Sequence, residues 1–493
     1  MKNNSVIEEK HLHQIWLNQD FVNDLNTSDG ESVSVINPGE YNTDSGGPDF
    51  KHARIKIGRL TFVGDVEIDR DYSDWKNHGH NINRNYNKVI LHLSYSNKQK
   101  QHYVYTSDGR KVNSIPLLEN ISADNLKAEI TLAGKTNKSV KSFELKCRSE
   151  IDLVPKEDRQ NAILNFGIIR FQNKCERVFH RLKELKFISQ LELKEPVIRY
   201  ELSKEFMERE FSHDDFKDKN IWKQLFYELI FEALGYSKNK KIMMKLAQNV
   251  NLDFLNQLDK NNELNIQIES LLFNISGLMP EINSLNDSNL EYLQKLDEYW
   301  KLLSKIYDGK KFDETQWQFL GQRPQNFPTV RISGGAKILE AILIKNLTGN
   351  VIKKFSEIHS TKVLINSIRS LFIVKASGYW REHYVFDKSS KIKLNYIIGL
   401  SRADEIFINV ILPYLSVYFD MFGNEALSKK VLKVYNEYNQ KMDNKIVRNV
   451  SEALKLDGIN KKTIYSQGMI EVYRNYCSKN KCLDCEIGKK IFV

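Results

Sequence analysis

Gly46-Gly47-Pro48-Asp49-Phe50 is followed eighteen residues later by Gly64-Asp65-Val66-Glu67-Ile68-Asp69, and then by Trp75, His78, His80 and His92. Around them, short runs alternate apolar and polar: Val33-Ser34-Val35-Ile36, Ala53-Arg54-Ile55-Lys56-Ile57, Leu60 to Ile68, Val89 to Tyr95 and His102 to Tyr105. A period of two marks a half-buried strand, and Gly58-Arg59 and Asp108-Gly109 supply turn residues. The pattern predicts a meandering sheet. Along Leu60 to Asp69 the pleat sends Phe62, Val66 and Ile68 to one face and Val63, Asp65, Glu67 and Asp69 to the other. Three carboxylates on one face repel one another unless water solvates them or a cation holds them. A hard divalent ion such as Mg²⁺ or Mn²⁺ takes oxygen ligands, so Asp49, Asp65 and Glu67 are the expected ligand set.

Asp49 joins that set only under one condition. If Gly58-Arg59 closes a two-residue hairpin, Phe50 pairs with Glu67, and strict pleating points Asp49 to the wrong face. A β-bulge or an irregular strand start after Pro48 would bring it round. A shared ion therefore requires a bulge.

His78-Gly79-His80 follows Trp75 in a polar stretch, and the glycine between the two histidines lets both rings turn toward one point. They suit a Zn²⁺ or Mn²⁺ site or general-base work, and equally suit hydrogen-bonded loop residues. His92 shares a strand face with Ile90 and reads as a satisfied, half-buried histidine.

Near residue 145 the character of the chain changes. Leu164, Ile168, Phe171, Cys175, Val178, Leu182 and Leu185 recur at helical spacing, and the remainder continues in that manner. A chain of 493 residues is too long for one core. The expected class is α+β: a small N-terminal α/β sheet domain over 1–110, a polar connection over 111–145, and a large all-helical domain over 146–493. The most apolar window, Ile408 to Phe419, is too short for a bilayer and holds Pro413, so it predicts a buried helix. With no apolar run after the polar Met1 to Lys10, the expectation is a cytoplasmic protein without a membrane partner.

Cys477-Ser478-Lys479-Asn480-Lys481-Cys482-Leu483-Asp484-Cys485 is a C-x4-C-x2-C arrangement, with the spacing of zinc and iron–sulfur sites. Three thiolates leave such a site one ligand short. Cys147, at the junction, is the better candidate for the fourth, because Cys175 belongs to the helical seam; reduced thiols without a metal are the alternative. A net charge of +10, from 73 Lys and Arg against 63 Asp and Glu, suits a polyanion such as DNA or RNA. Two segments place arginine beside aromatic rings, Arg323 to Arg331 and Tyr379-Trp380-Arg381-Glu382-His383-Tyr384. Arg323, Arg331, Trp380 and Arg381 are the candidate nucleic-acid contacts, with helix capping and packing as the competing role.

Pro48-Asp49 followed by Glu67-Ile68-Asp69 resembles the PD-(D/E)XK nuclease superfamily, which sets an acidic residue at the start of one strand and an acidic pair on the next. The resemblance implies a restriction-endonuclease-like sheet domain in which the carboxylates hold Mg²⁺, the ion polarises the scissile phosphate and a bound water attacks. A lysine usually stands in that superfamily where this chain has Asp69. Lys51, Lys76, His78 and His92 are the available substitutes.

The Gly-Pro-Asp-Phe and Gly-Asp-Val-Glu-Ile segments, Trp75 to His80, Arg323 to Arg331, Tyr379-Trp380 with His383-Tyr384, and the cysteine tail through Ile487-Gly488 together resemble the bacterial DUF2851 family. That family carries no assigned activity, and the resemblance implies a histidine where this chain has Asp69, a departure at a site residue that points to altered or lost catalysis. Two expectations result. One is a metal-dependent nuclease with Asp49, Glu67, Asp69, His78 and His80 in the catalytic set, and the other is a non-catalytic module that binds nucleic acid or a protein.

Overall fold

The computed structural model describes residues 9–19, 21–27, 29–42, 47–118, 120–121, 145–190, 206, 209–281, 290–319, 322–386, 388–390, 392–439 and 444–492. The chain divides into two compact units, Met1–Phe143 with Gln318–Gly321, and Glu144–Trp317 with Gln322–Val493. The architecture is mixed α+β, a sheet followed by a mostly helical region.

In the first unit a helix, α1 (Glu9–Asn18), precedes eight strands: β1 (Leu25–Asn26), β2 (Ser32–Asn37), β3 (Glu40–Tyr41), β4 (Phe50–Ile57), β5 (Leu60–Asp71), β6 (Val89–Ser96), β7 (Tyr103–Tyr105) and β8 (Lys111–Pro116). They form one mixed sheet in the order β1-β2-β4-β5-β6-β8-β7, with β3 paired to β4. Gly58-Arg59 closes the β4–β5 hairpin, with Ile57 opposite Leu60. β5 and β6 run parallel, which requires a crossover long enough to return the chain to the same end of the sheet. Residues 72–88 supply it, through the short helix α2 (Asp74–Asn77) and two 3₁₀ turns, His80–Ile82 and Arg84–Tyr86.

Alternation divides the residues as the pattern predicts. Phe50, Ala53, Ile55, Ile57, Val66 and Ile68 share one core with Leu12 and Trp16 of α1. Across the sheet, the crossover lays Trp75 and Tyr86 over Val89, Val104 and Val112. The acidic face of β5 is therefore roofed, not solvated.

One boundary differs from the pattern reading. Lys111–Pro116 is strand β8, parallel to β6 and antiparallel to β7, in a stretch read from the sequence as irregular connection. Its apolar signal is only Val112 and Ile115, because buried Ser114 serves a histidine instead of the core. Residues 122–144, the rest of that stretch up to the helical unit, lie outside the described residues.

The helical unit opens on a helix of 35 residues, Lys156–Gln190. Its buried face is Ile163, Phe166, Gly167, Phe171, Val178, Leu182 and Leu185, while Ile168, placed in the seam by spacing, is 42% exposed. The face is rotated because the helix crosses Thr463–Asn475 backbone to backbone. A Cβ at Gly167 would collide with the Ile464 carbonyl oxygen, and one at Gly468 with that of Ile163. The unit is not all helical, since Val374–Lys375 pairs with Tyr396–Ile398 and His383–Val385 with Lys388–Ser389. The apolar window around Pro413 is a buried helix, with a π turn at Phe407–Ile411 leading into Leu412–Met421. Among the described residues no helix is long and apolar enough to cross a membrane.

Candidate metal centre

A bulge lies where the hairpin needs one. Phe50 pairs with Val66 but Ala53 pairs with Gly64, so β4 carries one extra residue between them, and His52 adopts a left-handed backbone with φ of 60°. The shift puts Asp49 level with Glu67. The Asp49 backbone N–H donates to Glu67 Oε2 at 3.0 Å, and Asp49 Oδ2 accepts from the Ile68 N–H at 2.9 Å. Asp65 takes a different role from the one its strand face suggests. Its Oδ1 accepts from the His52 N–H at 3.2 Å and so fastens the bulge. Asp65→Ala strands that N–H, at a cost of about 1–3 kcal/mol; thermal melting should show the loss in Asp65→Ala and much less of it in Asp65→Asn, which keeps an acceptor.

The other carboxylates of β5 meet the crossover histidines. His80 Nε2 stands 3.1 Å from Glu67 Oε1 and 3.9 Å from Asp69 Oδ1, and His78 Nδ1 stands 3.4 Å from Asp69 Oδ1. One ligand atom from each of Asp69, His78 and His80 lies within 4.8 Å of the others, the geometry of a group able to hold an ion. Glu67 borders that group through His80. Asp69 is also held from behind, because His92 Nε2 is 3.1 Å from its Oδ2 while His92 Nδ1 is 2.8 Å from Ser114 Oγ. His92 is fully buried, so it orients Asp69 instead of facing solvent.

Burial dominates the electrostatics. Glu67 and Asp69 are 5% and 1% exposed. Desolvation, then the charges of Asp49 and Asp69, push the Glu67 carboxyl well above the usual range. Desolvation also pushes Asp69 up to about 8, against the pull of His78. His80 is driven down to about 3 by burial, then by His78 and His92, and burial drives His92 to about 3 as well. Among the described residues neither nitrogen of His80 makes a well-aligned hydrogen bond, the 3.1 Å approach of Nε2 to Glu67 being a charge contact. A buried neutral imidazole therefore faces two carboxylates that without a cation favour their protonated forms. A divalent ion would invert that balance, giving the carboxylates a counter-charge and the orphaned nitrogen a partner.

Two contacts were not legible beforehand. His13 of α1 places Nε2 3.2 Å from Asp49 Oδ2, and Tyr86 stacks on His80 with ring centroids 4.0 Å apart. Leu12, Ile15 and Trp16 at helical spacing were the available signal for α1; nothing local marked Tyr86. Of the residues weighed as lysine substitutes, Lys76 is exposed and Lys51 is half-buried beside the bulge. The basic groups in contact with Glu67 and Asp69 are histidines, His78, His80 and His92.

The family model described as a protein of unknown function, DUF2851, matches residues 9–191 and 207–445. The chain belongs to the DUF2851 family. No curated protein matches it, and no solved structure does. The DUF2851 match takes in α1, the bulge, the β5 carboxylates and the crossover histidines, and it ends before the cysteine tail.

The remaining sequence candidates lie in the helical unit. Arg331 is buried, donating to the Ile397 carbonyl, to Tyr236 Oη at 2.8 Å and to Asn326 Oδ1 at 2.6 Å. Trp380 is buried too, with Nε1 2.9 Å from Tyr292 Oη and its ring stacked on Phe273. Both pack inside the helical unit, the role that their sequence context allows alongside nucleic-acid contact. Arg323 and Arg381 are exposed. Cys147, Cys477, Cys482 and Cys485 are free thiols. Cys175 is apart from them, its Sγ 3.9 Å from the Pro413 carbonyl oxygen.

Proposed function

We propose that the sheet unit is a metal-dependent phosphodiesterase acting on DNA or RNA, built in the manner of the PD-(D/E)XK nucleases. The observation that carries the reading is the β4 bulge, which brings Asp49 level with Glu67 beside the Asp69, His78 and His80 group. Asp69 and His80 would hold the ion, with His78 at the rim and Glu67 and Asp49 completing the acidic surround. Imidazole among the ligands favours Mn²⁺ over Mg²⁺. When bound, the ion polarises a phosphate oxygen and acidifies a water.

The chain's own residues supply the rest. Ser114 and His92 fix the orientation of Asp69, and His13 with the Ile68 N–H fixes Asp49. His78, whose side chain is 46% exposed, stands where solvent and substrate can reach it and takes the proton of the attacking water, the work a lysine does elsewhere in the superfamily. A net charge of +10 favours a polyanionic substrate, and exposed Arg323 and Arg381 are its candidate contacts in the helical unit.

A second reading, a non-catalytic nucleic-acid- or protein-binding module, is favoured by Asp69 in the lysine position and by the burial of Glu67 and Asp69. Incubation with single- and double-stranded DNA and RNA in Mn²⁺, Mg²⁺ and EDTA, beside Glu67→Gln and with Mn²⁺ binding followed by calorimetry, separates the two. The nuclease reading expects cleavage in Mn²⁺ that drops to the EDTA background in the variant. Bound Mn²⁺ with intact substrates selects the second reading, and no bound metal removes the first.

A further inference from the structure

We propose that a cavity inside the helical unit binds a small polar organic phosphate, with a cluster of unpaired cations on its wall taking the phosphate group. The inference is independent of the nuclease reading, since every residue lining the cavity belongs to the helical unit.

Polar stripes on separate helices meet there. On the Lys156–Gln190 helix, Arg170, Asn173, Lys174 and Arg177 follow the spacing of a single helical face, and all four line the cavity. Gln467, Glu471, Arg474 and Asn475 do the same on the Thr463–Asn475 helix. Arg402 and Glu405 come from the Leu400–Ile406 helix and Asn409 from the π turn that continues it, a distortion often found at functional sites. The space enclosed is about 660 Å³, within the range of small-ligand pockets. Ala233 and Ile470 are its aliphatic lining residues, so the wall offers little to an apolar ligand.

Charge decides the ligand. Arg170, Lys174, Arg177, Lys240, Arg402 and Arg474 share the wall with Glu232, Glu405 and Glu471, so cations outnumber carboxylates by two to one. Arg177 Nη2 and Lys240 Nζ both lean on Glu232, at 3.2 and 3.1 Å, and Arg170 Nη1 pairs with Glu471 at 3.0 Å. Glu405 accepts from Asn409 Nδ2 at 2.8 Å. Among the described residues Lys174, Arg402 and Arg474 have no carboxylate at ion-pair distance. Lys174 Nζ donates to neutral amides instead, to Asn409 Oδ1 at 2.6 Å and Gln467 Oε1 at 2.8 Å, and burial, then Arg170, holds it well below the usual lysine range. The Arg402 guanidinium lies 3.1 Å over the Tyr236 ring and donates to the Ala233 carbonyl at 3.1 Å, and its buried Nε has no hydrogen-bond partner among the described residues. Tyr236 keeps its ring there at a φ of 55°, backbone strain of the kind that persists at ligand clamps. A seam that only joined helices would match its cations with carboxylates, because an unpaired charge taken out of water is destabilising. A phosphate monoester supplies the missing negative charge and fits the guanidinium fork, while the amides of Asn173, Asn444 and Asn475 on the same wall suit hydroxyl groups on the rest of the ligand.

The experiment is calorimetric titration of the full chain in EDTA with inorganic phosphate, glycerol phosphate, adenosine monophosphate and adenosine, beside Lys174→Met, Arg402→Gln and Glu67→Gln. At least one of the two esters is expected to bind more tightly than inorganic phosphate, and adenosine not at all; the tighter ester tells a polyol phosphate from a nucleotide. Lys174→Met and Arg402→Gln weaken that ester at least about tenfold, the worth of one charge-assisted hydrogen bond. Glu67→Gln binds it as the wild type does, which separates this cavity from the carboxylates of the sheet. Without ligand, Lys174→Met should melt no lower than wild type, because it removes an unpaired buried charge, so its lost binding is not lost folding. If Arg402→Gln fails to fold, Arg474→Gln, exposed at the rim, takes its place with the same expected loss. Absence of binding by both esters overturns the proposal, as does unaltered binding in folded Lys174→Met. Inorganic phosphate that matches both esters, or adenosine that matches its monophosphate, overturns it as well.

Discussion

In EDTA, the β5 and β6 strands are expected to lose about 2 kcal/mol more protection between about pH 6.5 and about pH 8.5 in the wild-type chain than in Asp69→Asn. Burial raises the folded-state pKa of Asp69 from 3.8 to about 8. A group shifted upward stabilises the fold below its unfolded pKa, and that stability is lost as pH rises through the folded value. Across this window the unfolded chain has ionised Asp69 while the folded chain still holds the proton, so each pH unit costs up to about 1.4 kcal/mol until the carboxyl titrates. His80 and His92, lowered to about 3, act the other way. Their contribution is complete above pH 6.5 and is lost only as pH falls, so it is constant here. Glu269, raised to about 7, and Lys174, lowered by burial, titrate identically in both proteins and cancel in the difference. Saturating Mn²⁺ should abolish the slope in the wild type, because the ion takes the place of the proton. Hydrogen exchange of β5 and β6 peptides, corrected for the intrinsic rate, gives the readout. Equal pH dependence in the two proteins would mean that Asp69 is not protonated in the fold.

That behaviour depends on the crossover between β5 and β6, the part of the site least legible in the sequence. Alternation announced the strands, and the two-residue turn made a bulge necessary for Asp49 to reach Glu67. Both inferences rest on local, period-two geometry. The roof over the acidic face does not. Trp75, His80 and Tyr86 lie in a polar stretch with no periodicity, and only the parallel return from β5 to β6 folds it across the carboxylates. Asp65 illustrates the same limit. It shares a face with Glu67 and Asp69, yet it is consumed by the bulge that makes the site. Arg331 and Trp380 were ambiguous for a related reason, since guanidinium beside aromatic rings serves a buried carbonyl or a phosphate equally well until burial is known. β8 was hidden because one of its inward positions is Ser114, whose value lies in a hydrogen bond to His92.

Gly468→Ala should destabilise the helical unit by at least about 2 kcal/mol, although alanine at a helical position is ordinarily worth up to about 1 kcal/mol over glycine. The sign reverses because a Cβ at Gly468 would collide with the Ile163 carbonyl oxygen and crowd the Gly167 nitrogen. Those are backbone atoms, which cannot swing aside as a flexible side chain can. The two helices must separate along a contact that also buries Phe166, Phe171, Met469 and Val472. Gly167→Ala meets the same obstacle from the other side, at the Ile464 carbonyl, and the double variant should cost less than the sum because one separation relieves both collisions. Gly399→Ala is the control. It caps the Leu400–Ile406 helix instead of lying inside one, and its Cβ would find only Tyr396 Cβ at 3.9 Å, so its melting should fall far less than that of Gly468→Ala. Wild-type melting in Gly468→Ala would contradict the close backbone contact.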